Sequence, residues 1–164
     1  MMNQEFNIEL FEEYDGINFY TIRKKGEQET EAEKFLLQFP EDSVYNDEID
    51  RILSWLEKIS EKGALERYFR PEGKYGDGVG AIPVEVGKVR LYCVRISDHI
   101  LIIGNGGVKK SDSWENSPIL SKHVELLIDA ARFIRSRLSN GSIRIANEGK
   151  ELCGNLRFTR YEKK

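Results

Sequence analysis

The sequence of 164 residues is poor in the features that mark several large classes of protein. Two cysteines, Cys93 and Cys153, are too few for a disulfide scaffold, and the chain is long enough to bury a core without one. Cys93 falls inside an apolar run, where a buried thiol is the ordinary expectation. The two histidines, His99 and His123, have no Cys, His, Asp or Glu partner at a ligand spacing, so no metal site and no cofactor are expected. Each histidine reads as solvent-exposed. No apolar run approaches the length of a membrane span, and the acidic opening MMNQEFNIELFEE lacks the basic-then-apolar pattern of a secretion signal. The expected location is the cytoplasm, with no membrane partner. There is no repeat, no low-complexity segment and no G-x-S-x-G elbow.

What is present is an ordinary globular composition, 40% hydrophobic and 32% charged, which fits one domain. The net charge of -3 hides an asymmetry. Residues 1–62 hold 16 acidic and 7 basic side chains, a formal -9, and the remainder holds 12 acidic and 18 basic, a formal +6. A basic half can gather phosphate near a site; mutual attraction of the two halves, or plain solvation, explains the same numbers.

Phe6, Ile8 and Leu10 alternate with polar residues, Asp15-Gly16 marks a turn, and Ile17 to Arg23 is a β-rich run, which predicts a hairpin within residues 1–26. The spacing of Ala32, Phe35, Leu36 and Phe39 predicts a helix from Glu27 to Phe39, closed by Pro40. Ile49, Ile52, Leu53, Leu56 and Ile59 predict a second helix from about Asp47 to Lys62, with Gly63 as its stop. Residues 66–80, ERYFRPEGKYGDGVG, carry too much glycine for regular structure. Strands are then expected at Ala81 to Val86, Val89 to Ile96 and Ile100 to Ile103, joined by hairpin-length connections. Strand parity puts Arg90, Tyr92 and Val94 on one face, and Leu91, Cys93 and Arg95 on the other. Gly104-Asn105-Gly106-Gly107 ends the third strand; although followed by Lys109-Lys110, it has neither the Walker order nor the dinucleotide fingerprint. Ser117 and Pro118 open a long helix to Leu138, closed by Asn140-Gly141. Short strands at Ser142 to Ala146 and near Leu156 to Phe158 complete an α+β domain, one mixed sheet with helices packed on it.

One group of residues carries chemistry. Arg67, Tyr68, Arg70, Lys74, Tyr75, Arg90, Tyr92, Arg95, Lys109 and Lys110 interleave cations with aromatics, a composition suited to single-stranded nucleic acid. Arg90 is the sharpest member. It sits between Val89 and Leu91 in an apolar strand, where a charge is costly unless it is paired or directed into a cleft. An ion pair with a helix carboxylate is the structural alternative.

The order helix, helix, glycine, loop, Val89-Arg90-Leu91-Tyr92, apolar strand, glycine turn, Lys109-Lys110 and helix resembles the RelE/HigB/ParE superfamily of bacterial toxins, over about residues 29–138. The resemblance implies a RelE-like fold, with a small curved and mainly antiparallel sheet flanked by helices. The core would span 27–138, and 139–164 would be a C-terminal extension. It further implies a toxin-like mRNA endoribonuclease of a toxin–antitoxin system, metal-independent, with RNA or the ribosome and a small antitoxin as partners. Carried over by position, Arg90 would clamp phosphate, Lys110 would stabilise developing charge, and Glu85 would be the one candidate base in the strand before Arg90. Arg67, Arg70, Lys74, Tyr92, Arg95 and Lys109 would contact RNA. The chain departs from the pattern in that the strand before Arg90, Ala81 to Val86, holds only Glu85 where the family supplies further lysine, arginine or glutamate. The aromatic or histidine after the basic pair has no clear match either, Trp114 being the nearest aromatic. The alternative is a non-catalytic nucleic-acid- or protein-binding module on the same fold; a gyrase-directed toxin, acting by binding, is a third class.

Overall fold

The computed structural model describes residues 4–71, 78–82, 87–110 and 117–160. Among these, a seven-stranded sheet runs in the order β3-β4-β5-β6-β2-β1-β9. Its strands are β1 (Gln4–Glu13), β2 (Asn18–Lys24), β3 (Arg70–Pro71), β4 (Val79–Ala81), β5 (Val89–Ser97), β6 (Ile100–Val108) and β9 (Arg157–Arg160). Three helices flank it: α1 (Glu31–Leu37), α2 (Asn46–Lys62) and α3 (Pro118–Asn140). A separate hairpin pairs β7 (Ile143–Ala146) with β8 (Glu151–Gly154). The domain is α+β, with a mixed and mostly antiparallel sheet.

The predicted parity holds in β5. Tyr92 and Val94 join Ile100, Ile102 and the apolar stripe of α3 on one face, while Val89, Leu91 and Cys93 join Leu101, Ile103 and the inner sides of α1 and α2 on the other. The pleat of a strand with both faces covered requires this near-continuous apolar run. Cys93 is fully buried, and burial pushes its thiol pKa up, so it is inert packing rather than a nucleophile.

Helix ends follow local chemistry. Thr30 caps α1 with a capping box to Glu33, which starts the helix later than the apolar spacing alone predicts. Ser117 accepts from the Leu120 backbone N–H and Pro118 occupies the first turn of α3. Gly141, left-handed at φ 85°, ends that helix.

Several features depart from expectation. A 3-10 turn at Glu66–Tyr68, β3 and most of β4 fall in the stretch 66–80 expected to be irregular. The strand expected from Ala81 ends at that residue among the described residues, and β8 was not foreseen. The glycine run does not end the third strand, since β6 continues through it to Val108, paired to β5 as Arg90↔Gly107 and Leu91↔Gly106. In addition, β2 and β6 pair in parallel, in register Asn18↔Ile100 to Thr21↔Ile103, so the opening hairpin is built into the main sheet between β6 and β9. No helix among the described residues is long and apolar enough to cross a membrane.

Candidate functional site

The parallel pair defines the place where the sheet can hold a ligand. From the carboxyl end of β2 the chain passes to α1 on one face, and from the carboxyl end of β6 it passes to α3 on the other. Departure to opposite faces marks the position outside the strand ends, the crevice end of the sheet, where sheets with such a switch usually bind ligands. Cationic residues collect there: Lys24 at the end of β2, Lys34 on α1, Lys88 and Arg90 at the start of β5, and Lys109 and Lys110 just past β6. The Lys109 N–H donates to the Lys88 carbonyl at 2.6 Å, which holds these two basic segments side by side.

Arg90 is the buried member, only 8% exposed. Its Nη1 donates to the carbonyls of Gly87 and Val89, each at 3.1 Å, and its Nε has no partner. No carboxylate among the described residues pairs with it. Glu48 of α2, beside this segment, accepts instead from the backbone N–H groups of Lys88 and Val89 at 2.6 and 2.8 Å. A guanidinium removed from water and held only by backbone carbonyls retains unspent capacity for an anion.

Beside the cations lies a polar network that fixes α1 to β6. Glu31 is almost wholly buried; its Oε2 accepts from Lys34 at 2.9 Å and its Oε1 from Asn105 Nδ2 at 3.4 Å. Burial raises its carboxyl pKa and lowers that of the Lys34 ammonium. Asn105 Oδ1 accepts from the Gly106 N–H at 2.7 Å and from Gln38 at 3.0 Å. The run Gly104-Asn105-Gly106-Gly107 therefore serves packing and this network. A Cβ on Gly104 would lie 2.8 Å from Leu127 Cδ1, and one on Gly106 would enter the Arg90 carbonyl.

His123 is a neighbour of this basic cluster that sequence reasoning did not connect with it. It is half-buried rather than exposed, one turn beyond Leu120, which packs against Gly107. Its pKa is pushed down to about 4, by burial first and then by the charges of Lys24 and Lys34. The imidazole is thus neutral near pH 7 and faces a positive field. Only helical spacing was visible in the sequence, and nothing there announced that α1 and β2 would converge on it. His99 is exposed as expected, its Nδ1 2.9 Å from the Gly16 carbonyl.

The sequence-predicted group is divided by the fold. Arg90, Lys109 and Lys110 lie at the crevice end. Arg95 lies toward the other end of β5, about 17 Å away for five residues of strand, and Arg67 sits apart in the 3-10 turn before β3. Arg95 is tied to Asp98 Oδ1 and to the Ala64 carbonyl, both at 2.6 Å, and Arg67 stacks its guanidinium over Tyr68. Tyr92 is fully buried under α3, which leaves its ring no open face for a base. The backbone of Arg70 pairs with Ala81 across β4. The Arg70 side chain and residues Glu85, Lys74, Tyr75 and Trp114 lie outside the described residues. No group of three or more metal-ligating side chains occurs among the described residues. Compared with family models, curated proteins and solved structures, the chain finds no match.

Proposed function

We propose that the chain is a toxin-like RNA-binding protein of the RelE/HigB/ParE kind, acting as an mRNA endoribonuclease at the crevice end of its sheet. The observation that carries this reading is Arg90, buried with no carboxylate partner among the described residues and with Nε unbonded, beside Lys88, Lys109 and Lys110. A phosphodiester supplies the missing anion, and Lys110, exposed at the lip, meets the charge that builds on phosphorus-bound oxygen.

Cleavage by this route needs the ribose 2′-hydroxyl to attack the adjacent phosphate, a proton acceptor for that hydroxyl and a donor for the departing 5′-oxygen. Glu85 keeps its place as one acceptor from the family resemblance. His123 is a second: neutral at pH 7, half-buried and one helical turn from the residue packed on Gly107, the register partner of Arg90. Burial of Tyr92 and the ion pair of Arg95 favour the alternative, a module that binds RNA or protein without cutting.

Induced expression of the wild type beside Arg90→Ala and Lys110→Ala, with growth followed and RNA ends mapped by primer extension, separates the two. The proposal expects growth arrest and new RNA ends in the wild type, both lost in each variant. Lys110 is exposed, so its replacement leaves the fold intact; thermal melting establishes the same for the Arg90 variant. No arrest and no new ends from soluble, folded wild-type protein would overturn the cleavage reading and leave binding on the same scaffold.

A further inference from the structure

The opposite side of the domain carries a second feature that phosphate chemistry does not use. A cavity of about 520 Å³ lies between α1, α2 and the sheet, floored by Phe19, Leu91 and Ile103. Leu36 of α1 and Leu53 of α2 stand at its opening, 41% and 44% exposed. The polar groups that line it are Glu12, Glu57, Glu61, Ser60 and Tyr14, and no Lys or Arg is among its described lining residues. This wall belongs to the segment 1–62, whose formal charge is -9.

We propose that this groove docks a basic amphipathic helix of a partner protein, with an apolar anchor seated on Phe19, Leu91 and Ile103 and Lys or Arg residues facing Glu12, Glu57 and Glu61. Charge complementarity fixes the sign of the partner: three carboxylates around an apolar floor repel an acidic segment and attract a basic one. The exposed leucines fix its size. Apolar side chains exposed at the mouth on both helices are covered by the stripe of a third helix, which inserts its i, i+3, i+4 and i+7 side chains between two others. A small molecule enclosed in the cavity would leave those leucines in water. This inference stands apart from the RNA reading, since no residue is shared between the two sites.

The probe is a fluorescein-labelled synthetic peptide of about 18 residues, long enough for five helical turns, with leucine at the stripe positions and lysine elsewhere. Its controls are a scrambled peptide of the same composition and a leucine–glutamate version. Anisotropy titrations should give saturable 1:1 binding to the full chain, weakened about tenfold or more by scrambling, by the Glu57→Lys/Glu61→Lys pair and by Leu53→Ser, and abolished for the glutamate peptide. Circular dichroism melts of both variants confirm that the fold is kept. Equal binding of patterned and scrambled peptides reduces the effect to bulk charge and overturns the proposal. Insensitivity to the groove variants overturns it too, as does sedimentation of the wild type as a dimer that Leu53→Ser dissociates, which would make a second copy the occupant.

Discussion

Two side chains at the crevice end, Arg90 and His123, hold the electrostatics of the proposed site, and they differ in how openly they declare themselves. A guanidinium between Val89 and Leu91 is conspicuous in any apolar strand, so Arg90 could be singled out from sequence. His123 could not, because its pKa is depressed by burial first and then by the charges of Lys24 and Lys34, on elements far away in the chain. Its depressed value has a measurable consequence. The unfolded chain takes up a proton at His123 near the ordinary value of 6.5, whereas the folded chain does so only near 4. Between these values the unfolded state binds more protons, so this contribution to stability is complete above about pH 6.5 and is lost as pH falls through the window. Urea denaturation of His123→Gln should show a shallower loss of stability between pH 7 and 4.5, by roughly 2 kcal/mol after allowance for part exposure. Glu31 acts with the opposite sign, since burial raises its pKa, so the difference between variant and wild type, not the total curve, isolates the histidine. An unchanged slope would mean that His123 titrates alike in both states.

At the scale of elements, the glycines of β6 decide how closely α3 and β5 approach. Gly104→Ala places a methyl against Leu127, a flexible side chain that can yield, and should cost about 1–2 kcal/mol in urea unfolding. Gly106→Ala drives the methyl into the Arg90 carbonyl, which belongs to a neighbouring strand and cannot move without breaking the ladder. Its cost should exceed about 3 kcal/mol, and a smaller cost for Gly106 than for Gly104 would contradict this packing. The same run shows where local sequence reasoning stops. Glycine clusters signal turns, and the turn was expected at Gly104; long-range pairing to β5 and helix contact override that propensity and carry the strand to Val108. Elements with strong local signals were legible: α2 and α3 from apolar spacing, the Ser117-Pro118 start and the Gly141 stop from capping chemistry. The strand β8 was not, because Glu-Leu-Cys-Gly has only one buried residue to mark it. The parallel partnership of β2 with β6 was hidden too, since a strand's sequence specifies its faces but not its neighbour. The crevice, which depends on that partnership, was therefore invisible even though Arg90 and Lys110 were named.

For the molecule as a whole, the question is whether residues beyond Gly141 are a cover laid over the site or part of the core. Phe158 of β9 is fully buried, stacked on Phe6 at 5.4 Å and set against Phe133 at 5.7 Å. Arg137 of α3 clamps the segment, lying over the Phe158 ring and donating to the Asn155 and Arg157 carbonyls at 2.9 and 2.6 Å. The β7–β8 hairpin is fastened to the sheet where the Leu152 N–H donates to the Tyr20 hydroxyl at 2.9 Å and Lys150 Nζ to the Tyr14 carbonyl at 2.7 Å. These contacts close the β1 edge, with β9 paired from Gln4↔Arg160 to Asn7↔Arg157. Phe158→Ala should therefore cost about 3–5 kcal/mol, the usual cost of deleting a buried aromatic ring. Truncation after Gly141 should do more, since it uncovers Phe6 and Ile8 and leaves β1 as an unpaired edge that invites aggregation. A detachable cover predicts the reverse, a truncated chain that melts like the full one and exposes its crevice to RNA. Thermal melts and size-exclusion profiles of the truncated chain distinguish these, and the aromatic stack places the expected result on the side of unfolding.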